Sequence, residues 1–145
     1  MPVKTSSISL DTRGNTEVVD LTQQVAGIIR QAGLANGIVT VFCPSSTSGL
    51  TTLEYEPGCV KDLRQLFEEL IPSNRDWAHN VTWDDGSGTV VPNGHSHLRA
   101  ALLGASLTVP FEHGRLALGT WQQIVYVDFD VRSRHRELVV QVMGE

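Results

Sequence analysis

The run Ser106-Leu107-Thr108-Val109-Pro110-Phe111-Glu112-His113-Gly114-Arg115-Leu116-Ala117-Leu118-Gly119 decides the fold class. Its two arms read as extended chain, and Glu112-His113-Gly114 between them is a tight-turn signal. Residues 105–111 and 115–129 are therefore expected to form a hairpin, which makes the sheet antiparallel at this point. A third β-like run covers 137–143. Upstream, Ile38-Val39-Thr40-Val41-Phe42-Cys43 is short and β-branched, the pattern of a buried strand. Residues 3–10, with Ile8 and Leu10 on one face, and residues 50–55 complete the strand-like segments.

Helical spacing occurs in two places. Leu21, Val25, Ile28, Ile29 and Ala32 recur on one face, Gly33 is a stop signal, and Asp20 with Gln23 three residues later forms a capping-box pattern. This predicts a helix over 20–32. Pro57-Gly58 breaks the chain, and Val60, Leu63, Leu66, Phe67 and Leu70 then form a stripe over 59–70. A short helix is expected over 97–103, closed by Gly104. Residues 73–95 carry Asn, Asp, Gly, Ser and two tryptophans without a period, and a loop of that length inside a compact domain is usually functional. The sum is an α+β fold: an antiparallel β-sandwich-like core of about seven strands with two main helices and one short one. Residues 1–145 read as a single domain.

The chain has 145 residues, of which 41% are hydrophobic and 19% charged, and its net charge is −5. That size suits one buried core without covalent staples. The acidic balance, with no interleaving of basic and aromatic residues, argues against nucleic acid and anionic membranes as partners. Arg132, Arg134, His135 and Arg136 cluster near the end and read most simply as a solvated turn. Cys43 and Cys59 are not paired in a CxxC, the first residues lack the apolar core of a leader peptide, and no run approaches a membrane span. A cytoplasmic protein with reduced thiols is expected.

The chemistry concentrates in Gly94-His95-Ser96-His97-Leu98-Arg99. Imidazole is the usual proton carrier near neutral pH and the commonest metal ligand. In extended backbone His95 and His97 point to one face, and with His79 they form a candidate open divalent site. The competing reading is one core or capping histidine and two solvent-exposed ones. Ser45-Ser46-Thr47-Ser48-Gly49, after a buried strand, offers hydroxyl and N–H donors for an anionic group, or is a polar turn. It lacks the Gly spacing and Lys of a phosphate-binding P-loop. Glu54 is a candidate acid or base, or a solvent-facing charge. Trp121-Gln122 presents either a pocket wall or a core tryptophan with a satisfied amide.

Taken in order, Phe42-Cys43-Pro44, Ser46-Thr47-Ser48-Gly49-Leu50, Glu54, His79, Asn93, His97-Leu98-Arg99-Ala100, Leu103-Gly104 and Gly114-Arg115-Leu116-Ala117-Leu118-Gly119-Thr120-Trp121-Gln122 resemble the YjbQ-like family, also called secondary thiamine-phosphate synthase-like proteins. The resemblance covers nearly the whole chain. It implies a sandwich-like α+β protein assembled as a homotrimer, with pockets near subunit boundaries. It also implies a small-molecule ligand, in some members the substrates of thiamine-phosphate synthesis. On that basis His97, His79 and Glu54 are the candidate catalytic residues. Ser46, Thr47, Asn93, Arg99, Trp121 and Gln122 are candidate substrate-binding residues. His79, His95 and His97 are candidate ligands for a divalent metal, Zn or Mg. The sequence departs from the family pattern at Ser45, where members usually carry His, and over 130–136, where members carry a Gly-Pro-Arg-like turn. An enzyme of small phosphorylated or anionic metabolites is the leading expectation. A noncatalytic binding or assembly module on the same scaffold is the alternative.

Overall fold

A computed structural model describes residues 1–83 and 85–145. Among them the chain runs β1 (Val3–Thr12), β2 (Glu17–Asp20), α1 (Thr22–Ala32), β3 (Gly37–Phe42), β4 (Ser48–Leu53), α2 (Pro57–Leu70), α3 (His79–Thr82), α4 (Gly94–Leu103), β5 (Ser106–Glu112), β6 (Arg115–Leu116), β7 (Gln123–Asp128) and β8 (Arg134–Gly144). Two antiparallel sheets result, one ordered β1-β8-β3-β5-β6 and one ordered β2-β7-β4. The α+β class and the antiparallel core expected from the sequence are both present, with eight strands and four helices among the described residues in place of about seven and three.

Three layers follow from how apolar residues alternate. One face of the large sheet supplies Ile8, Val39, Val41, Val109, Phe111, Leu138, Val140 and Val142 to the main core, against Leu21 and, from α1, Val25 and Ile29. The small sheet closes that core with Leu50, Ile124 and Tyr126. Its other face carries Val18, Val125 and Val127 into a second cluster with Phe67 of α2 and Ala100 of α4. Strand β7 therefore feeds two cores by alternation, which is why it reads as a nearly unbroken apolar run. Phe67 and Phe129 meet edge to face with ring centroids 4.8 Å apart, worth about 0.5–1.5 kcal/mol beyond area burial.

Several expected boundaries move, each for a local reason. The predicted strand 115–129 is split. Leu116 pairs with Phe111 in the large sheet, whereas Gln123–Asp128 belong to the small one. The crossing is made by a turn in which the Gln122 side chain accepts from the Gly119 N–H. Helix α1 starts at Thr22, because the Leu21 N–H is held by the Ile124 carbonyl of β7. Asp20 Oδ1 accepts from the Thr22 N–H and hydroxyl, but the N-cap is Leu21 with no side-chain cap bond, so the capping box expected at Asp20 and Gln23 does not form. Pro57 and Gly58 open α2 rather than precede it. The Glu56 carboxylate caps the Gly58 and Cys59 N–H groups, and proline at the first helical position loses no hydrogen bond. On α2, Leu66 and Leu70 face solvent while Val60, Leu63 and Phe67 pack inward.

The change that matters most for function is in α4. It begins at Gly94, whose N–H is accepted by the Asn80 side-chain oxygen, so His95 lies within a helix and not in extended chain.

Candidate functional site

Residues two apart on an α-helix are separated by about 200° around its axis. His95 and His97 therefore project from different sides of α4, and the premise that they share a face does not survive. His97 is half-buried and meets His79 of α3 edge to face, with ring centroids 4.6 Å apart and planes at 68°. His79 in turn lies 6.2 Å from the Trp83 ring, nearly parallel to it. His95 is only 6% exposed and its Nδ1 has no partner among the described residues. Burial, and then the Arg99 guanidinium, push the His95 pKa down. Burial, and then His79, push His97 down against the opposing pull of Asp130 and the Ser46 backbone. Both effects favour the neutral form of the two α4 imidazoles. Among the described residues, no three His, Cys, Asp or Glu side chains gather as a metal-holding group. The structure brings together two of the three expected metal ligands, His79 and His97, one short of an open three-ligand site.

Arg99 lies on the His95 side and makes four hydrogen bonds. It donates to the Ile71 carbonyl through Nε and Nη2, to Thr16 Oγ1 through Nη1 at 3.1 Å, and to Glu68 Oε2 at 2.7 Å. Against the cost of burial, the Ser73 backbone and Arg99 hold the Glu68 carboxyl down at about 2. These bonds pin α4 to the end of α2 and to the turn after β1.

The Ser45–Ser48 segment rests on a cationic strut that the sequence reading had set aside as a solvated turn. Arg136 of β8 reaches Asp128 with two bonds of 2.8 and 2.9 Å, and also donates to Ser45 Oγ at 3.1 Å and Thr47 Oγ1 at 3.0 Å. Asp128 is completely buried, as nearly is Asp130, which accepts from Arg134 at 2.9 Å and Thr47 at 3.1 Å. The missed signal is period two. Arg134 and Arg136 stand in step with inward-facing Leu138, Val140 and Val142 on β8, and Asp128 stands in step with Ile124 and Tyr126 on β7.

The remaining expected residues lie elsewhere. Glu54, Trp121 and Gln122 line an open hollow with Thr52, Leu53, Gly119 and Thr120. Trp121 is 72% exposed, and Gln122 is tied to Thr52 Oγ1. This hollow is at the far end of β4 from Ser48, and the five steps from Ser48 to Leu53 at ~3.3 Å each span about 16 Å of strand. Asn93 lines a cavity of about 240 Å³ with His79, Asn80, Trp83 and Pro92. His97 lines a different one, of about 390 Å³, with Ser45, Ser46, Ser48, Ala100 and Gly104. The paired rings thus stand between two hollows.

The pattern that defines the "UPF0047 protein YjbQ-like" family matches residues 6–145. The chain belongs to this family. A UPF0047 protein of Methanothermobacter thermautotrophicus is 36% identical over 145 residues, covering 100% of this chain and 95% of that one. Another, from Archaeoglobus fulgidus, is 34% identical and covers 94% and 98%. A crystal structure of a YbjQ-like protein of unknown function from Sulfolobus solfataricus P2 superposes with a TM-score of 0.85 at 33% identity, covering 99% of this chain and 100% of that one. A hypothetical protein from Aeropyrum pernix K1 gives 0.86 at 32% identity, covering 98% and 99%. The UPF0047 family is one of uncharacterised proteins, so membership carries the fold and leaves the chemistry to the side chains. No described helix of this member is long and apolar enough to cross a membrane.

Proposed function

We propose that this UPF0047 protein is a cytoplasmic enzyme acting on a small phosphorylated or otherwise anionic metabolite, with His97 and His79 as its acid–base pair. The observation that carries this reading is their edge-to-face contact between two solvent-connected hollows. A neutral imidazole offers one N–H donor and one acceptor nitrogen, so the pair can take a proton at one ring and present a donor at the other. Hydroxyls of the Ser45–Ser48 segment hold the anionic group. Arg99, whose donors are committed to Thr16, Ile71 and Glu68, acts as a positioning residue for α4.

The specific reaction to test is thiamine-phosphate synthesis. The thiazole nitrogen bonds the pyrimidine's methylene carbon, and diphosphate departs with the electrons of the broken carbon–oxygen bond. The protein's share is to align two substrates and hydrogen-bond the departing diphosphate. Purified protein is incubated with both precursors and Mg²⁺. Thiamine phosphate above a His97→Ala control supports the reading, and none above it rejects the synthase assignment. Self-association as a homotrimer, three times the 15.9 kDa chain, belongs to the same proposal and is read by sedimentation.

A second reading is a noncatalytic binding or assembly module, favoured by Ser45 at the position where the family usually carries His. It predicts no turnover and no ligand-induced rise in melting temperature across a panel of phosphorylated metabolites.

A further inference from the structure

The hydroxyls of the Ser45–Ser48 segment can be assigned donor and acceptor roles one by one. Asp130 is ionised at neutral pH. Burial opposes this, but the Arg134 and Thr47 hydrogen bonds hold its carboxyl below the usual range. An ionised carboxylate only accepts, so Thr47 Oγ1 gives its proton to Asp130, 3.1 Å away, and receives one from Arg136 Nη2. Ser45 Oγ accepts from Arg136 Nη1 and from the Thr47 N–H, both at 3.1 Å. A hydroxyl has two lone pairs and one proton, so the acceptor capacity of Ser45 is full and only its proton remains. The described acceptor nearest to it is Thr47 Oγ1 at 3.4 Å, a contact long enough to be given up for a better one.

Ser48, the last hydroxyl of the segment, turns the other way. It is 1% exposed and stands in step with Leu50 on the main-core face of β4, beside the Tyr126 phenol. Burial pushes that phenol up to about 12, so it stays protonated, and Ser45 is left as the hydroxyl with a proton to spare at the hollow. The rest of the hollow is Ser46, His97, Ala100, Ala101, Gly104 and Ala105. No carboxylate among the described residues lines it, and Asp128 and Asp130 lie behind the loop, bonded to Arg136 and Arg134. The surface thus offers donors and small apolar groups, with a guanidinium polarising Ser45 from the rear.

We propose that this hollow is a subsite for phosphoryl oxygens, in which Ser45 donates to the anion and Arg136 positions Ser45. The proposal rests on the acid–base reading of the histidine pair and adds where the anionic group sits: on the His97 side, away from the His79–Trp83–Asn93 cavity. It also gives Ser45 a function of its own, as a donor whose direction is fixed by what its lone pairs already accept.

The test is a titration of the full chain with inorganic phosphate, followed by NMR at the Ser45–Ser48 amides and the His79 and His97 rings. Saturable shifts at residues 45–48 and His97 are expected. Ser45→Ala is expected to weaken binding about tenfold or more, while Ser45→Thr, which keeps the hydroxyl, stays near wild type. Unchanged amide spectra elsewhere in both variants show that the fold is intact. Shifts confined to His79, Trp83 and Asn93 would overturn the placement and leave the acid–base reading standing. Binding unaltered in Ser45→Ala would overturn the role of Ser45. No saturable shift anywhere would overturn the subsite, while turnover in the His97→Ala comparison decides the parent reading separately.

Discussion

His79 and His97 are held ring against ring at 4.6 Å by two helices whose ends are stitched together, since Asn80 of α3 caps the Gly94 N–H that opens α4. The contact is therefore a property of backbone placement, and neither ring depends on a ligand to find the other. Two imidazoles this close disfavour a second proton, which adds to the effect of burial on His97.

The pH dependence follows from the direction of those shifts. The folded-state pKa values of His95 and His97 lie below the ordinary 6.5. Between the folded and unfolded values the unfolded chain binds more protons, so stability rises with pH there. The contribution is fully present above about pH 6.5 and is lost as pH falls through the folded values. Urea midpoints measured from pH 8 to pH 5 are expected to decline below 6.5, and His95→Gln is expected to flatten part of that decline. Ring proton titrations that place either histidine above 6.5 would refute the assignment.

Divalent ion binding separates the three histidines. Only His79 and His97 converge, so any uptake of Zn²⁺ is expected to disappear in His97→Ala and to persist in His95→Gln. Calorimetric titration of metal-free protein reads both. Loss of binding in His95→Gln, with the fold retained, would mean that α4 does not hold these rings on separate sides.

How far the sequence could be read depends on what each residue answers to. Strand β3 and helix α1 were legible because local pattern and tertiary burial agree: Val39 and Val41 alternate inward, and Gly33 ends the helix in the left-handed conformation it favours. His79 and His97 could be named from the resemblance. Their contact could not, because it depends on an Asn80 side chain deciding where α4 starts. Trp121 and Glu54 are assigned to the site by resemblance, yet they line a separate hollow at the far end of β4 from Ser48, with the turn at 120–122. Arg136 was misread because a charge flanked by charges resembles a surface turn. Its alternation with Leu138 and Val140 was the informative feature.

Arg136 is accordingly expected to be among the most sensitive positions. Its side chain neutralises Asp128, which has no exposure at all, and it braces two hydroxyls of the loop. Arg136→Met leaves a buried carboxylate without its partner, an effect of about 3–5 kcal/mol in comparable cases. Pairing it with Asp128→Asn is expected to recover much of the loss, because the uncompensated charge is then gone. Denaturant unfolding of the single and double variants gives the coupling directly. Additive losses would mean that the two groups do not act as a pair.

Gly49 links the loop to the helix that carries His97. A Cβ there would lie 2.7 Å from the Gly104 carbonyl oxygen and 2.9 Å from Leu103 Cδ2, at the C-terminal end of α4. The oxygen cannot simply turn aside, because it also accepts the Leu50 N–H at 3.0 Å. Gly49→Ala is therefore expected to push α4 away from β4, costing about 1–3 kcal/mol and shifting the His97 ring resonances. Gly27 provides the contrast. It lies inside α1, and a Cβ there meets only the Arg30 guanidinium at 3.7 Å. Gly27→Ala is expected to stabilise the protein by up to about 1 kcal/mol through helix propensity, with His97 unmoved. Equal urea midpoints for the two variants, or a Gly49→Ala protein with an unshifted His97 ring, would show that α4 does not seat against β4 at this glycine.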